Sequence, residues 1–269
     1  MKGGDFTRIG RDNSNQSIAP FYLNVWLKAV DLDMTKNAEY LEVSCCEGPR
    51  LKILIKDLVF LGRSAYQKIA IYDTEHHGRC LFLDDEIQCS KADHKEFDRA
   101  ILKKLKPTDR NLLVLGGGDG NVAEMALRLN PGLHVTIVEL DLAVIKACEA
   151  HLGQKIFIHP SITIIIDDAI HFMEQKARAI SFDCLVCDLT DQPIGHRNVI
   201  FGNLYSKIFS FAARLLNSSG WISAYVGCNV NIADNIISPH LYQIERDVIR
   251  IPSYGEPCYF MHGQVENNP

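Results

Sequence analysis

NLLVLGGGDGN, residues 111–121, decides the fold. Its first five residues, mostly leucine and valine, have the length of a buried strand. Gly116-Gly117-Gly118-Asp119-Gly120 follows, and from Asn121 to Leu129 the apolar spacing is helical until Pro131 stops it. Glycines between a strand and a helix permit a tight turn and a close backbone approach to a ligand. Nineteen residues after Gly120, Glu139 closes the next strand, HVTIV (134–138). An acidic side chain there is placed to hydrogen-bond a ribose diol. Together the two signals predict a nucleoside site that includes Gly116, Gly118, Asp119 and Glu139.

The same grammar continues downstream. A helix from about Leu142 to His151, strand SITIIID (161–167), a helix near 169–177 and strand FDCLVCD (182–188) come in order. A helix near 203–216, strand GWISAYV (220–226), a helix near 232–246 and a hairpin around Pro252–Pro257 complete the series. Just upstream, residues 93–104 read as a helix with Phe97, Ala100, Ile101 and Leu105 on one face. Alternation of this kind predicts an α/β fold, a doubly wound parallel sheet with ligands at the carboxyl ends of its strands. Before Ala92 the pattern differs. FYLNVWL, AEYLEVSCC, LKILIKDLVF, QKIAIYD and RCLFLDDEIQCS are short β-rich runs separated by turn residues. The expected division is a flexible arm over 1–18, a small antiparallel β domain over 19–91 and a catalytic domain over 92–269.

Composition narrows the classes. With 47% hydrophobic residues and a net charge of −5, the chain is not disordered overall. No apolar run is long enough for a membrane-spanning helix, and no Lys/Arg cluster offers a nucleic-acid face. The opening MKGGDFTRIGRDNSNQS lacks an apolar secretory region. Nine cysteines, an odd number spread over the chain, read as reduced thiols in a cytoplasmic protein.

Acids gather at the predicted strand ends. Asp167-Asp168 closes the third strand of the series, and Asp188-Leu189-Thr190-Asp191-Gln192-Pro193 closes the fourth. Each alone is ordinary turn chemistry. Asp119, Glu139, Asp168, Asp188 and Asp191 on one edge of a sheet instead line an acidic crevice suited to a polyamine. A nicotinamide dinucleotide site wants G-x-G-x-x-G, and position 121 is Asn. Methyltransferases using S-adenosylmethionine commonly carry an acid two positions before the first glycine. Here Val114 stands there, and the acid is Asp119, inside the turn. A carboxylate aimed at the ligand's tail repels the carboxylate of intact S-adenosylmethionine and attracts a bare ammonium, which favours the decarboxylated form. No metal or resident cofactor is expected. Cys184 and Cys187, three apart on a strand, point to opposite faces and read as buried small hydrophobes. His76, His77 and His94 lack a ligand-spaced partner and read as solvated.

From Ser64 to Phe260 the chain resembles the aminopropyltransferases, the spermidine and spermine synthases. The resemblance is carried by Ser64-Ala65-Tyr66-Gln67, Leu83-Asp84 through Ile87-Gln88-Cys89, LGGGDG at 115–120 and VELD at 138–141. IDDA at 166–169, DLTDQP at 188–193 and Ile251-Pro252-Ser253-Tyr254 extend it. It implies an N-terminal β domain, a Rossmann-like catalytic domain of the methyltransferase type, and a homodimer. It also implies transfer of the aminopropyl group of decarboxylated S-adenosylmethionine to a polyamine, with release of methylthioadenosine. Position by position, the resemblance assigns Gln67, Asp119, Glu139, Asp168 and Ala169 to the nucleoside substrate and Asp188 to acid/base catalysis. It assigns Asp191 and Tyr254 to the acceptor amine, and Glu256 to the position associated with the longer acceptor.

Two departures stand out. Where the family carries Tyr followed by Gln, His or Thr, this chain has Phe97-Asp98. Phe97 thus falls on the acceptor side without a hydroxyl, and Asp98 joins the nucleoside-substrate contacts with a carboxylate to offer an ammonium. Val226-Gly227-Cys228 replaces a polar stretch after the fifth strand. Asp188-Leu189-Thr190, Val230-Asn231-Ile232 and Ser253-Tyr254-x-Glu256 lean towards spermidine as acceptor, whereas Asp191 leans towards putrescine. Two other readings stay open. One is a catalytically silent homologue that binds polyamine or nucleoside or serves as a dimer partner, which Phe97 allows. The other is a methyltransferase acting on a small amine.

Overall fold

The computed structural model describes residues 40–43, 51–176, 181–189, 194–227, 235 and 237–265. Strands β1 (Tyr40–Val43), β2 (Leu51–Arg63), β3 (Lys68–Thr74), β4 (Gly78–Leu83) and β5 (Glu86–Ser90) form one antiparallel sheet in chain order. The turn from β4 to β5 consists of Asp84 and Asp85, both at positive φ, between the paired residues Leu83 and Glu86. A two-residue connection of that hand matches the twist of the strands it joins. It returns β5 so that Gln88 and Cys89 enter the neighbourhood of the glycine turn. The expected strand FYLNVWL lies outside the described residues.

The second sheet contains β6 (Asn111–Gly116), β7 (His134–Glu139), β8 (Ile162–Ile166), β9 (Phe182–Asp188), β10 (Leu216–Tyr225), β11 (Leu241–Arg250) and β12 (Pro257–Val265). Their order is β11-β12-β10-β9-β6-β7-β8. Helices α1 (His94–Ile101), α2 (Asn121–Leu129), α3 (Leu142–Ala147), α4 (Ala169–Lys176) and α5 (Ile194–Leu215) accompany it. The sheet has two cores because β6 to β9 are apolar on both faces. Leu112, Val114, Ile137 and Val186 pack with Phe97, Ile101, Val122 and Val144 from α1, α2 and α3. Leu113, Leu115, Val138 and Leu185 pack on the other side with Phe172 and Phe209 from α4 and α5. Successive residues of a strand serve opposite faces, so helices on both sides demand a continuous apolar strand. The first core continues into Ile69, Ile71, Leu81 and Leu83 of the small sheet, which fixes that sheet against α1–α3.

Several expectations are corrected. The sheet is mixed, since β12 runs antiparallel to β10 and β11 antiparallel to β12. The helix expected near 232–246 does not extend through its second half, because Leu241–Arg250 is strand β11. Its Glu and Arg residues suit a helix locally, but ladder pairing from Leu241↔Val265 to Arg250↔Pro257 overrides that preference. The expected turn around Pro252–Pro257 does join these two strands. Helix α3 ends at Ala147 and gives way to a π-helical turn over Cys148–Leu152, and α5 starts at Ile194 rather than near 203. Cys184 lies in the first core and Cys187 in the second, the opposed faces that their spacing predicts.

Candidate active site

The strand order reverses at β6, with β7 and β8 on one side and β9 and β10 on the other. Open α/β sheets bind ligands in the crevice beyond the carboxyl ends of the strands at such a switch point. Gly116 ends β6 and is paired with Asp188 at the end of β9. A Cβ on Gly116 would lie 2.0 Å from the Asp188 carbonyl oxygen, and the residue sits at φ +82°. Close approach of two strand ends therefore requires a glycine here. A Cβ on Gly117 would lie 3.9 Å from Asp188 Oδ2, and one on Gly118 would lie 2.8 Å from Glu139 Oε2. The turn is bracketed by two carboxylates.

Glu139 accepts a hydrogen bond from the Asp141 backbone N–H at 2.9 Å, and Gly118 and Leu140 also donate backbone hydrogen bonds to it. Burial nevertheless pushes its carboxyl up to about 7. Asp141 caps α3 by accepting from the Ala143 N–H at 3.0 Å. Its other oxygen accepts from Ser64 Oγ at 2.6 Å and from Gln67 Nε2 at 3.1 Å. Gln67 thus reaches the end of β7 through Asp141, a residue for which the sequence alone suggests no role in the site. An Asp directly before Leu142-Ala143-Val144-Ile145 is an N-cap signal, and that signal alone marks it.

Asp119 turns back on its own loop. It accepts from the Asn121 backbone N–H at 2.9 Å and from Asn121 Nδ2 at 2.8 Å, and the Cys89 thiol also hydrogen-bonds to it. Burial raises its carboxyl above the usual range while these donors oppose the rise. On α1, Asp98 is 2% exposed, and burial pushes its carboxyl up to about 6. His94, expected to be solvated, pairs with it at 2.8 Å. The correction has a simple cause: positions i and i+4 of a helix share a face, and this face turns inward.

Phe97 is buried in an aromatic cluster, 5.1 Å from the Tyr225 and Phe260 rings and 6.0 Å from that of Tyr254. Tyr254 lies in the turn after β11. Asp93 holds that turn by accepting from Ser90 Oγ at 2.5 Å, the Ser253 N–H at 2.9 Å and Ser253 Oγ at 2.8 Å. The Tyr254 hydroxyl donates to the Gln88 carbonyl at 2.5 Å. Burial raises this phenol, and the charges of Cys89 and Cys258, then of Asp188 and Asp119, add to the rise. The Glu86 carboxyl is raised by burial and then by the charge of Glu256.

Asp168 is exposed and caps α4, accepting from the His171 N–H at 3.0 Å, while Ala169 is buried against the second core. The strand before them joins Glu139 through the Asp167 N–H to Glu139 carbonyl bond of 3.1 Å. Asp191 lies outside the described residues. Among the described residues, no group of three or more His, Cys, Asp and Glu is placed to hold a metal ion, and no helix is long and apolar enough to cross a membrane.

The fold and this crevice define a Rossmann-like protein with acidic side chains around the glycine turn at its switch point. The chain belongs to the spermine/spermidine synthase family: the model described as the spermine/spermidine synthase domain matches residues 99–256, more than half of the chain. A second model, the spermidine synthase tetramerisation domain, matches residues 40–91. Members of this family are transferases, and this chain is an aminopropyltransferase by that membership. A protein of Pyrobaculum calidifontis named polyamine aminopropyltransferase is 28% identical over 233 residues, covering 81% of this chain and 80% of its own. A spermidine synthase of Schizosaccharomyces pombe is 25% identical over 199 residues, covering 71% of this chain and 65% of its own. Among solved structures, spermidine synthase from Thermotoga maritima superposes with a TM-score of 0.72 at 17% identity, over 86% of this chain and 81% of that one. A spermidine synthase in complex with the transition-state analogue AdoDATO gives a TM-score of 0.75 at 19% identity, over 86% and 83% of the two chains. These two likenesses establish the shared fold.

Proposed function

We propose that the chain moves the aminopropyl group of decarboxylated S-adenosylmethionine to a polyamine, with spermidine favoured over putrescine, and releases methylthioadenosine. The observation that carries this reading is the convergence of Asp188, Asp119 and Glu139 on the glycine turn at the switch point of the sheet. Gly116 and Gly118 let the nucleoside approach the backbone, Glu139 takes the ribose diol, and Gln67, Asp168 and Ala169 frame the rest of it. Asp119 and Asp98 face the ammonium of the aminopropyl group. Phe97 and Tyr254 flank the acceptor chain, with Asp191 and Glu256 as partners for its further ammonium groups.

The chemistry needs no metal. The acceptor amine has a solution pKa of about 10, so it arrives protonated and cannot attack. Asp188 takes that proton, directly or through water. The freed nitrogen lone pair forms a bond to the carbon beside the sulfonium, the carbon–sulfur bond breaks, and sulfur keeps its electron pair as methylthioadenosine leaves. Most of the acceleration comes from holding two cations in one acidic crevice at attack distance. Buried Phe97, in place of a tyrosine hydroxyl, favours one second reading, a silent homologue that binds but does not turn over. Val114, buried in the core beneath the turn, offers nothing to the methyltransferase reading.

Around the site, the two sheets are read as two domains divided near residue 91, in a cytoplasmic homodimer. The match of residues 40–91 to a tetramerisation domain supports self-assembly through the small sheet.

Glu139 provides a pH test. Its carboxyl is raised to about 7, so it is largely protonated below that pH and ionised above it. A ribose diol donates to the ionised form. Methylthioadenosine is therefore expected to bind about tenfold more weakly at pH 6 than at pH 8, the ratio that a single group titrating near 7 produces. Titration calorimetry at the two pH values measures it, and an unchanged affinity removes Glu139 from the nucleoside contacts.

Glu256 tests the acceptor. A triamine carries one ammonium beyond the reach of putrescine, and a buried ammonium needs a carboxylate partner. Glu256→Gln is expected to weaken spermidine use by about 1–3 kcal/mol in kcat/KM while leaving putrescine use nearly unchanged. Equal losses for both amines, or a wild type that accepts only putrescine, would remove the preference for spermidine.

A further inference from the structure

Helix α1 begins with His94, and one turn later Asp98 lies on the same face. His94 Nδ1 and Asp98 Oδ2 are 2.8 Å apart, with the Asp98 side chain 3% exposed and that of His94 18%. The other carboxylate oxygen, Oδ1, accepts no hydrogen bond from any described residue. Two further acids, Asp119 in the glycine turn and Glu124 on α2, act on Asp98 through their charge. His94 faces Asp98 and Asp119, with Lys95 beside it on α1. A buried carboxyl among other acids takes up a proton unless a cation or a strong donor holds it ionised. The His94 imidazole is the group in contact with Asp98 that does so. Burial alone would lower its pKa, and the hydrogen bond and charge of Asp98, with the charge of Asp119, raise it above the usual imidazole value.

We infer that His94 is a positioning residue: it fixes the Asp98 carboxylate so that Oδ1 faces the ammonium of the transferable aminopropyl group, and its charge keeps Asp98 ionised for that role. This inference rests on the proposed co-substrate. Methylthioadenosine lacks the aminopropyl ammonium, so the ratio of the two nucleoside affinities isolates the contribution of the pair from the rest of the pocket.

The test measures dissociation constants of decarboxylated S-adenosylmethionine and of methylthioadenosine for wild type, His94→Ala and His94→Asn. In His94→Ala, binding of decarboxylated S-adenosylmethionine is expected to weaken about tenfold, the scale of one lost charge-assisted interaction, with methylthioadenosine within about twofold of wild type. Asn places an amide donor near the Nδ1 position without the charge. His94→Asn is therefore expected to recover most of the preference at pH 8 and to lose it at pH 6, where wild type keeps more of it. An unchanged ratio in His94→Ala, or equal losses for both nucleosides, overturns the inference. A wild type that binds methylthioadenosine but not decarboxylated S-adenosylmethionine overturns the co-substrate reading, and the inference with it.

Discussion

Asp188→Asn is expected to lower turnover by roughly 10²–10⁴-fold, the usual contribution of a positioned general base. Asn keeps the shape of the side chain and removes the proton acceptor, so nucleoside binding should survive. The expectation follows from geometry. Asp188 ends β9 directly beside Gly116, and its Oδ2 overhangs Gly117. Its charge also acts on the Tyr254 phenol in the turn after β11. Steady-state release of methylthioadenosine measures the loss. Turnover near wild type in this variant would show that the proton leaves by another route.

Gly116→Ala is expected to destabilise the fold by about 2–5 kcal/mol, which lowers the melting temperature by roughly 5–15 °C. A methyl group would meet the Asp188 carbonyl oxygen at 2.0 Å, and that oxygen belongs to backbone in a paired strand, so neither side can yield. The positive φ adds about 1 kcal/mol for any residue with a side chain. Gly153 separates the two effects, because it has a similar φ of +72° and nothing within 4 Å of its added Cβ. Gly153→Ala should therefore show only the backbone cost, about 1 kcal/mol. Scanning calorimetry of both variants checks the difference, and equal losses would mean that the contact with Asp188 contributes nothing.

Much of this architecture is legible in the chain. The apolar runs of β6 to β9 read as strands because both of their faces are buried, and the glycine turn together with Glu139 marks the switch point from residue types and spacing alone. The acids at the strand ends also declare themselves, since strand ends in such a sheet share one edge. What stays hidden depends on long-range pairing. Strand β11 is polar enough to pass for a helix, and only its ladder with β12 fixes it as a strand. His94 looks like a solvated helical residue until α1 packs against α2 and the strands β10–β12. Asp141 looks like a cap, which it is, but its second oxygen reaches Ser64 and Gln67 across more than seventy residues of chain. No periodicity within a segment records a contact of that range.

On the proposed reading, the crevice takes a nucleoside bearing an aminopropyl ammonium and passes that group to a polyamine. Mass spectrometry of the products is the direct test, with the protein offered decarboxylated or intact S-adenosylmethionine, each with putrescine and with spermidine. The expected products are methylthioadenosine and an amine heavier by one aminopropyl group, formed from the decarboxylated nucleoside alone and faster with spermidine. Methylated amine formed from the intact nucleoside, or no product from a protein that still binds methylthioadenosine, would rule out aminopropyl transfer by this chain.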